Sequence, residues 1–198
     1  MIIDKTKAIA QGHVKIYDPY SNEILVDKMN SIHYENISEA MANALTNKNI
    51  GTVERMVFGN GATAVDTTGV VTYLPTNTTG TDSQLYNQTY SKIVDDENAS
   101  NLDPTRNYIR VRHTPGTIYT DIFVTCLLDY TEPANQAAFD NAASLQGTFV
   151  FDELGLLSSD GKLLTHVIFH PVQKALNRLI QVDYTLRIQS LTNLSNNL

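Results

Sequence analysis

Apolar and polar positions alternate with a period of two over much of the chain, the signature of half-buried strands. His13-Val14-Lys15-Ile16-Tyr17 alternates in this way, Asp18 to Glu23 is turn chemistry, and Ile24-Leu25-Val26 returns, which predicts an opening β-hairpin. Residues 1–12 show no clear period and read as an amino-terminal arm. The pattern then changes to a helical one. Ile37, Met41, Ala44 and Leu45 fall on one face at i, i+4, i+7 and i+8, which predicts one short covering helix at about 36–48. Asn36 is its expected cap, with Glu39 reaching back in a capping box, and Asn47, Asn49 and Gly51 end it.

Val53 to Phe58 reads as a strand closed by Gly59-Asn60-Gly61. Regularity then fails over a long excursion, residues 62–107, interrupted by two extended pieces, Val70 to Leu74 and Tyr86 to Val94. An excursion with this much apolar content and so little period is expected to be ordered by packing on a neighbouring subunit. Tyr108 to His113 and Ile118 to Tyr130 form a second hairpin around Thr114-Pro115-Gly116-Thr117, and 134–145 is a weak helix or a crossing loop. Thr148 to Leu157 and Leu163 to Phe169 make a third hairpin, with Pro171 expected to end its second strand. Phe149 and Phe151 have one parity and Leu154 and Leu156 the other, so the first strand is buried on both sides or bulged near Asp152. A last strand, Ile180 to Ile188, alternates cleanly. The sum is a mainly β single domain over 1–198, an antiparallel β-sandwich with one short covering helix and long loop arms.

Composition narrows the functional classes. The chain carries 22 Thr, 18 Asn and 10 Tyr, no Trp, and 18% charged residues with a net charge of −7. Lys and Arg form no cluster, so the basic face that displaces counterions from a nucleic acid is missing and no direct nucleic-acid binding is expected. No apolar run approaches the roughly 20 residues that span a bilayer, and the start lacks a secretory leader's pattern. The five N-x-S/T sequons, at Asn36, Asn77, Asn87, Asn98 and Asn193, then follow from Asn and Thr content alone. Much Thr and Asn with little charge suits surfaces that end against a neighbour, where hydrogen-bonded polar groups lose little on desolvation.

Two ordered sets of residues carry a resemblance. One is Phe151-Asp152-Glu153-Leu154-Gly155-Leu156-Leu157, Asp160-Gly161, Leu163-Leu164, Phe169-His170-Pro171-Val172-Gln173-Lys174 and the strand Val182-Asp183-Tyr184-Thr185-Leu186. It resembles a hairpin-plus-strand unit of bacteriophage virion proteins, including the amino-terminal attachment domains of some tail fibres. The other is Ile32 to Ser38 with its helix, Phe58-Gly59-Asn60-Gly61 and Leu85 to Tyr90, which is similar to small virion structural proteins. The resemblance implies a structural subunit of a bacteriophage particle, synthesised in the host bacterial cytoplasm and ending in the virion. Its partners would be copies of itself in a symmetric ring and other virion proteins. Attachment domains normally continue into a stalk, so a neck, collar or tail subunit of the head-tail connection is the expectation. The alternative is a capsid or tail decoration module that binds glycans on a shelf of Tyr side chains.

The search for chemistry returns no site: no catalytic, cofactor-binding or metal-ligating residue is expected, and no cofactor. His166 and His170 are expected on one sheet face about 13 Å apart, too far to chelate one ion. His13, His33 and His113 have no partner in sequence. Adjacent Asp152 and Glu153 are expected on opposite faces, which spoils them as an acid-base pair. Asp95-Asp96-Glu97 lacks the spacing of a calcium loop. Gly59-Asn60-Gly61 is similar to phosphate-cradling loops, yet no helix follows it, so it is a turn. Cys126, the single cysteine, sits in an apolar run and is expected to be a buried, inert thiol.

Overall fold

A computed structural model describes residues 6–94, 107–130, 132–133, 148–175 and 177–192. It is a mainly β fold with, among the described residues, eleven strands and one helix. The strands are β1 (Thr6–Tyr17), β2 (Ile24–Ile32), β3 (Val53–Gly59), β4 (Thr63–Val65), β5 (Val71–Tyr73), β6 (Gln88–Ile93), β7 (Tyr108–His113), β8 (Tyr119–Leu128), β9 (Thr148–Ser158), β10 (Leu163–Ala175) and β11 (Ile180–Thr192). Helix α1 spans Tyr34–Leu45. Nine strands form one curled antiparallel sheet in the order β6-β3-β9-β10-β2-β1-β11-β8-β7, while β4 and β5 pair separately.

β2 makes the corner. Its first part pairs with β1 (Val26 opposite Ile16, Asn30 opposite Gly12), and its end pairs with β10 (Ile32 opposite Thr165). The strand thereby leaves one half of the sheet and enters the other, and the two halves face each other as a sandwich does. Their inward side chains form one cluster, with Val14, Ile16, Val124, Val182 and Leu186 from one half and Met56, Phe58, Phe151, Leu154 and Val167 from the other. Phe58 lies 5.2 Å from Phe151 between ring centroids. Tyr184 is buried in the same cluster, and its hydroxyl meets the Asn30 side-chain amide, so its polar tip has a partner.

Several expectations are corrected. Residues 6–12 are not an arm but the first half of β1, paired along β11 from Thr6 opposite Thr192. Residues 1–5 lie outside the described residues, as do 134–147 with the expected weak helix or crossing loop. The helix begins at Tyr34, because the His33 ring rather than Asn36 accepts from the first turn, at 3.3 Å from the Asn36 amide. Asn36 is instead buried, donating its side-chain amide to the Leu163 carbonyl at 2.8 Å. Glu39 does not close a capping box; it pairs with Lys162 at 2.5 Å. β10 does not stop at Pro171 but runs on to Ala175 through a register shift between Ile168 and Val172. The described part of the 62–107 excursion packs on its own subunit: Ala62, Leu85, Tyr90 and Val94 are all buried.

β11 shows the alternation expected of it. Ile180, Val182, Tyr184 and Leu186 are buried, and Gln181, Asp183, Thr185 and Arg187 face the other way. Leu186→Ala should therefore lower stability by about 2–5 kcal/mol. Thr185→Ala should stay within about 0.5 kcal/mol. Thermal melting of the two variants checks the ranking, and a reversed order would invert the faces of this strand.

Candidate functional site

A set of buried ionisable groups sits where β9 and β10 lose register. Phe151 and Leu154 both point into the core, so the two residues between them, Asp152 and Glu153, are both turned outward. The expectation that they take opposite faces is thus overturned by an irregularity opposite Pro171, which has no amide to give to the ladder. The outward face here is not solvent. The excursion covers it, and Asp152, Glu153 and His166 are all buried.

Each carboxylate is met by backbone donors. Glu153 Oε1 accepts from the amides of Asn87 (2.8 Å) and Gly61 (3.2 Å), and Oε2 from the Tyr86 amide (2.9 Å) and His166 Nε2 (3.1 Å). Asp152 accepts from the amides of Ala62 (3.1 Å) and Thr63 (2.9 Å) and from the Thr63 hydroxyl (2.5 Å). The turn that resembles an anion cradle therefore does hold anions, namely the protein's own carboxylates. It must approach closely to do so: a Cβ on Gly59 would stand 2.5 Å from Glu153 Oε1, and one on Gly61 2.7 Å from the Asn87 Cβ.

The hydrogen bonds also fix the histidine. The Asn77 amide donates to His166 Nδ1 at 2.8 Å, so Nδ1 carries no proton and Nε2–H donates to Glu153. The His166 ring lies 5.9 Å from that of Tyr86. Burial pushes the Glu153 carboxyl up, but the hydrogen bonds from His166, Asn87, Tyr86 and Gly61 outweigh it and hold the pKa below the ordinary value. For Asp152 burial prevails over its donors and the pKa is raised. Both carboxylates are buried, and with their donors in place they anchor the loop.

A second buried group closes the other end of β10. Lys174 is buried, and its Nζ donates to the carbonyls of Glu132 (2.8 Å), Ala175 (2.9 Å) and Asp129 (3.0 Å). Burial brings its pKa down to about 8. Beside it Lys92 Nζ donates to Glu132 Oε2 at 2.6 Å and to the Leu127 carbonyl at 2.7 Å. Sequence reasoning assigned Lys174 no structural role, although the residue belongs to the Pro171-Val172-Gln173-Lys174 corner that carries the resemblance.

The remaining histidines are dispersed. His33 donates from Nε2 to the Gly80 carbonyl while capping α1, His13 meets Asp27 at 2.6 Å on an exposed face, His113 meets the Thr120 hydroxyl, and His170 meets the Tyr73 hydroxyl. Among the described residues no group of three or more His, Cys, Asp or Glu side chains is placed to hold a metal ion. Asp95-Asp96-Glu97 lies outside the described residues. Cys126 is fully buried, and burial pushes its thiol up to about 12. No protein-family model, curated protein or solved structure matches this chain.

Glu153→Gln places an amide NH2 against backbone donors, and each buried donor left unpaired costs about 1–3 kcal/mol. The variant should melt lower and exchange its Gly61, Tyr86 and Asn87 amides faster. Because the folded pKa of Glu153 is lowered, its contribution is complete above the unfolded value, about 4.3, and is lost as pH falls through the folded pKa. The melting difference between wild type and E153Q should thus shrink below about pH 4. Asp152, whose raised pKa makes its contribution decline as pH rises, owes that shift first to burial, which both proteins share; the smaller part due to the Glu153 charge is absent from E153Q and opposes the trend. A difference that stays constant down the acid range would rule out this account of the cage.

Proposed function

We propose that this chain is a structural subunit of a bacteriophage particle, assembling through protein–protein contacts in the neck, collar or tail region, and not an enzyme. The supporting observation is where apolar surface remains after the fold has closed. The buried ionisable groups are engaged in holding loops to the sheet. Of the large apolar side chains that stand in solvent, several gather at two places: Leu45 (87% exposed) and Tyr34 on α1, and Val65 (63%), Val70, Tyr73 and Leu74 on and beside the β4–β5 hairpin. Apolar surface gathered in this way marks sites of contact between proteins. The bacteriophage part of the reading rests on the ordered resemblance of 151–174 and 182–186 to virion proteins.

A glycan-binding decoration module is the second reading, favoured by one groove. It holds about 640 Å³ on the outer face of β11, β8 and β7 and is lined by Tyr17, Tyr108 and Phe123 beside Arg110, Arg112 and Asp183. Arg110 already stacks on Tyr108 at 4.4 Å and Arg112 on Phe123 at 4.7 Å, so a sugar would have to displace a cation to reach either ring.

Light scattering on the purified chain, followed by a low-resolution map of the particle that contains it, tests the first reading. A discrete oligomer of fixed copy number in solution, matched by a symmetric ring in the map, is the expected outcome. A monomer at every concentration that also binds an immobilised glycan would replace it with the second.

A further inference from the structure

Two unsatisfied features of the subunit complement each other. The first is a groove of about 740 Å³ between β1 and α1. β1 pairs with β11 along its whole length but with β2 only from Gly12 to Tyr17, because β2 has by then crossed to β10. Residues Thr6–Gln11 therefore have, among the described residues, no strand on their second edge. Lys7 to Ala10 form one wall of the groove, and Ile37, Met41 and Leu45 of α1 form the other. A strand edge facing an apolar helix face is the geometry in which an extended segment adds to a sheet, with main-chain hydrogen bonds on one side and side-chain packing on the other.

The second feature is the β4–β5 hairpin. It is a two-stranded sheet of three residues per strand, separate from the main sheet, and such a ribbon is only marginally stable by itself. Its exposed side chains include Val65, Val70 and Tyr73. Asp66 is its one charged residue, in a turn where its Oδ1 accepts from Thr68 and Val70, and Lys7 is the one charged residue lining the groove. The hairpin of the same subunit stands elsewhere: Tyr73 meets His170, whereas α1 leaves the sheet beside Leu164, which lies about 20 Å away along β10 at ordinary strand rise.

We infer that the β4–β5 hairpin of one copy docks as an added strand pair into the β1–α1 groove of a second copy, with Asp66 meeting the partner copy's lysine. This inference rests on the assembly reading above and gives it a geometry. Hairpin and groove are different surfaces, so the contact is head-to-tail, and repetition closes a ring or extends a filament.

The test uses the full chain with Val70→Asp on the hairpin and Leu45→Asp in the groove, both at exposed positions, and thermal melting verifies that each variant remains folded. Each variant alone should run as a monomer by light scattering. Mixed one to one, they should form a dimer and go no further, because one intact hairpin then meets one intact groove. Variants that assemble like wild type would overturn the docking and leave the assembly reading in place, with the groove then filled by the chain's own residues or by another protein. Monomeric variants that fail to recombine would overturn the head-to-tail contact. A wild type that is monomeric throughout would overturn both readings.

Discussion

Burying a carboxylate costs several kcal/mol unless enough donors replace its lost hydration. Glu153 meets that constraint with four donors, three of them backbone amides outside its own strand: Gly61 in the turn after β3, and Tyr86 and Asn87 in the excursion. The path of the chain from Gly59 to Asn87 follows from this. Gly61 must pass on one side of the carboxylate and Tyr86 and Asn87 on the other, and Asn77 must come down on His166. Once there, the segment seals a second apolar cluster of Val57, Leu85, Leu157 and Leu163 on the outer face of the sheet. Release of the loop would expose that cluster and strip an ionised group of its donors together, so loop and sheet are expected to behave as one cooperative unit.

The two halves of the curled sheet therefore differ on their outer faces. Around β9 and β10 the outer face is a second interior. Around β1, β11 and β8 it is a half-buried polar ladder: Lys15 stands opposite Asp183, Asp183 opposite Thr125, and Thr125 opposite Tyr108. Arg187 grips Asp121 with two hydrogen bonds, at 2.7 and 3.0 Å, while stacking on Tyr119. Charge on that face is matched locally, which suits contact with water better than contact with an apolar partner. Exposed apolar side chains gather at the helix and the small hairpin, and Val111 and Ile118 stand out at the β7 edge.

Sequence pattern was sufficient wherever a strand has one wet and one dry face. β7, β8 and β11 fall at or near their expected places, while of β1 and β2 only His13 to Tyr17 and Ile24 to Val26, the parts flanking the first turn, were legible; the antiparallel sandwich follows from these hairpins. The pattern misled where chain and neighbour together dictate direction. Strict alternation puts Asp152 and Glu153 on opposite faces, yet the opposite parity of Phe151 and Leu154 already carried the sign of an irregularity. Asn36 looks like a cap by residue type, but its amide is taken by the Leu163 carbonyl, a contact distant in sequence. The excursion looked like an arm because its order comes from single hydrogen bonds to Glu153, Asp152 and His166, which leave no period to read. Lys174 was unreadable in the same way, since its partners are carbonyls.

The place of β11 in the sheet has a consequence for synthesis. The last strand among the described residues lies in the interior of the sheet, between β1 and β8, and joins the β1–β2 hairpin to the β7–β8 hairpin. While a ribosome is still adding residues 180–192, the β1–β2 and β7–β8 pairs have already emerged, each with a bare strand edge facing the gap. Bare edges of this kind recruit strands from other chains. The nascent polypeptide thus passes through a stage in which many copies growing on one message expose the same two edges side by side. Pairing of β11 covers both edges at once, so closure of this part of the sheet waits for residues 180–192.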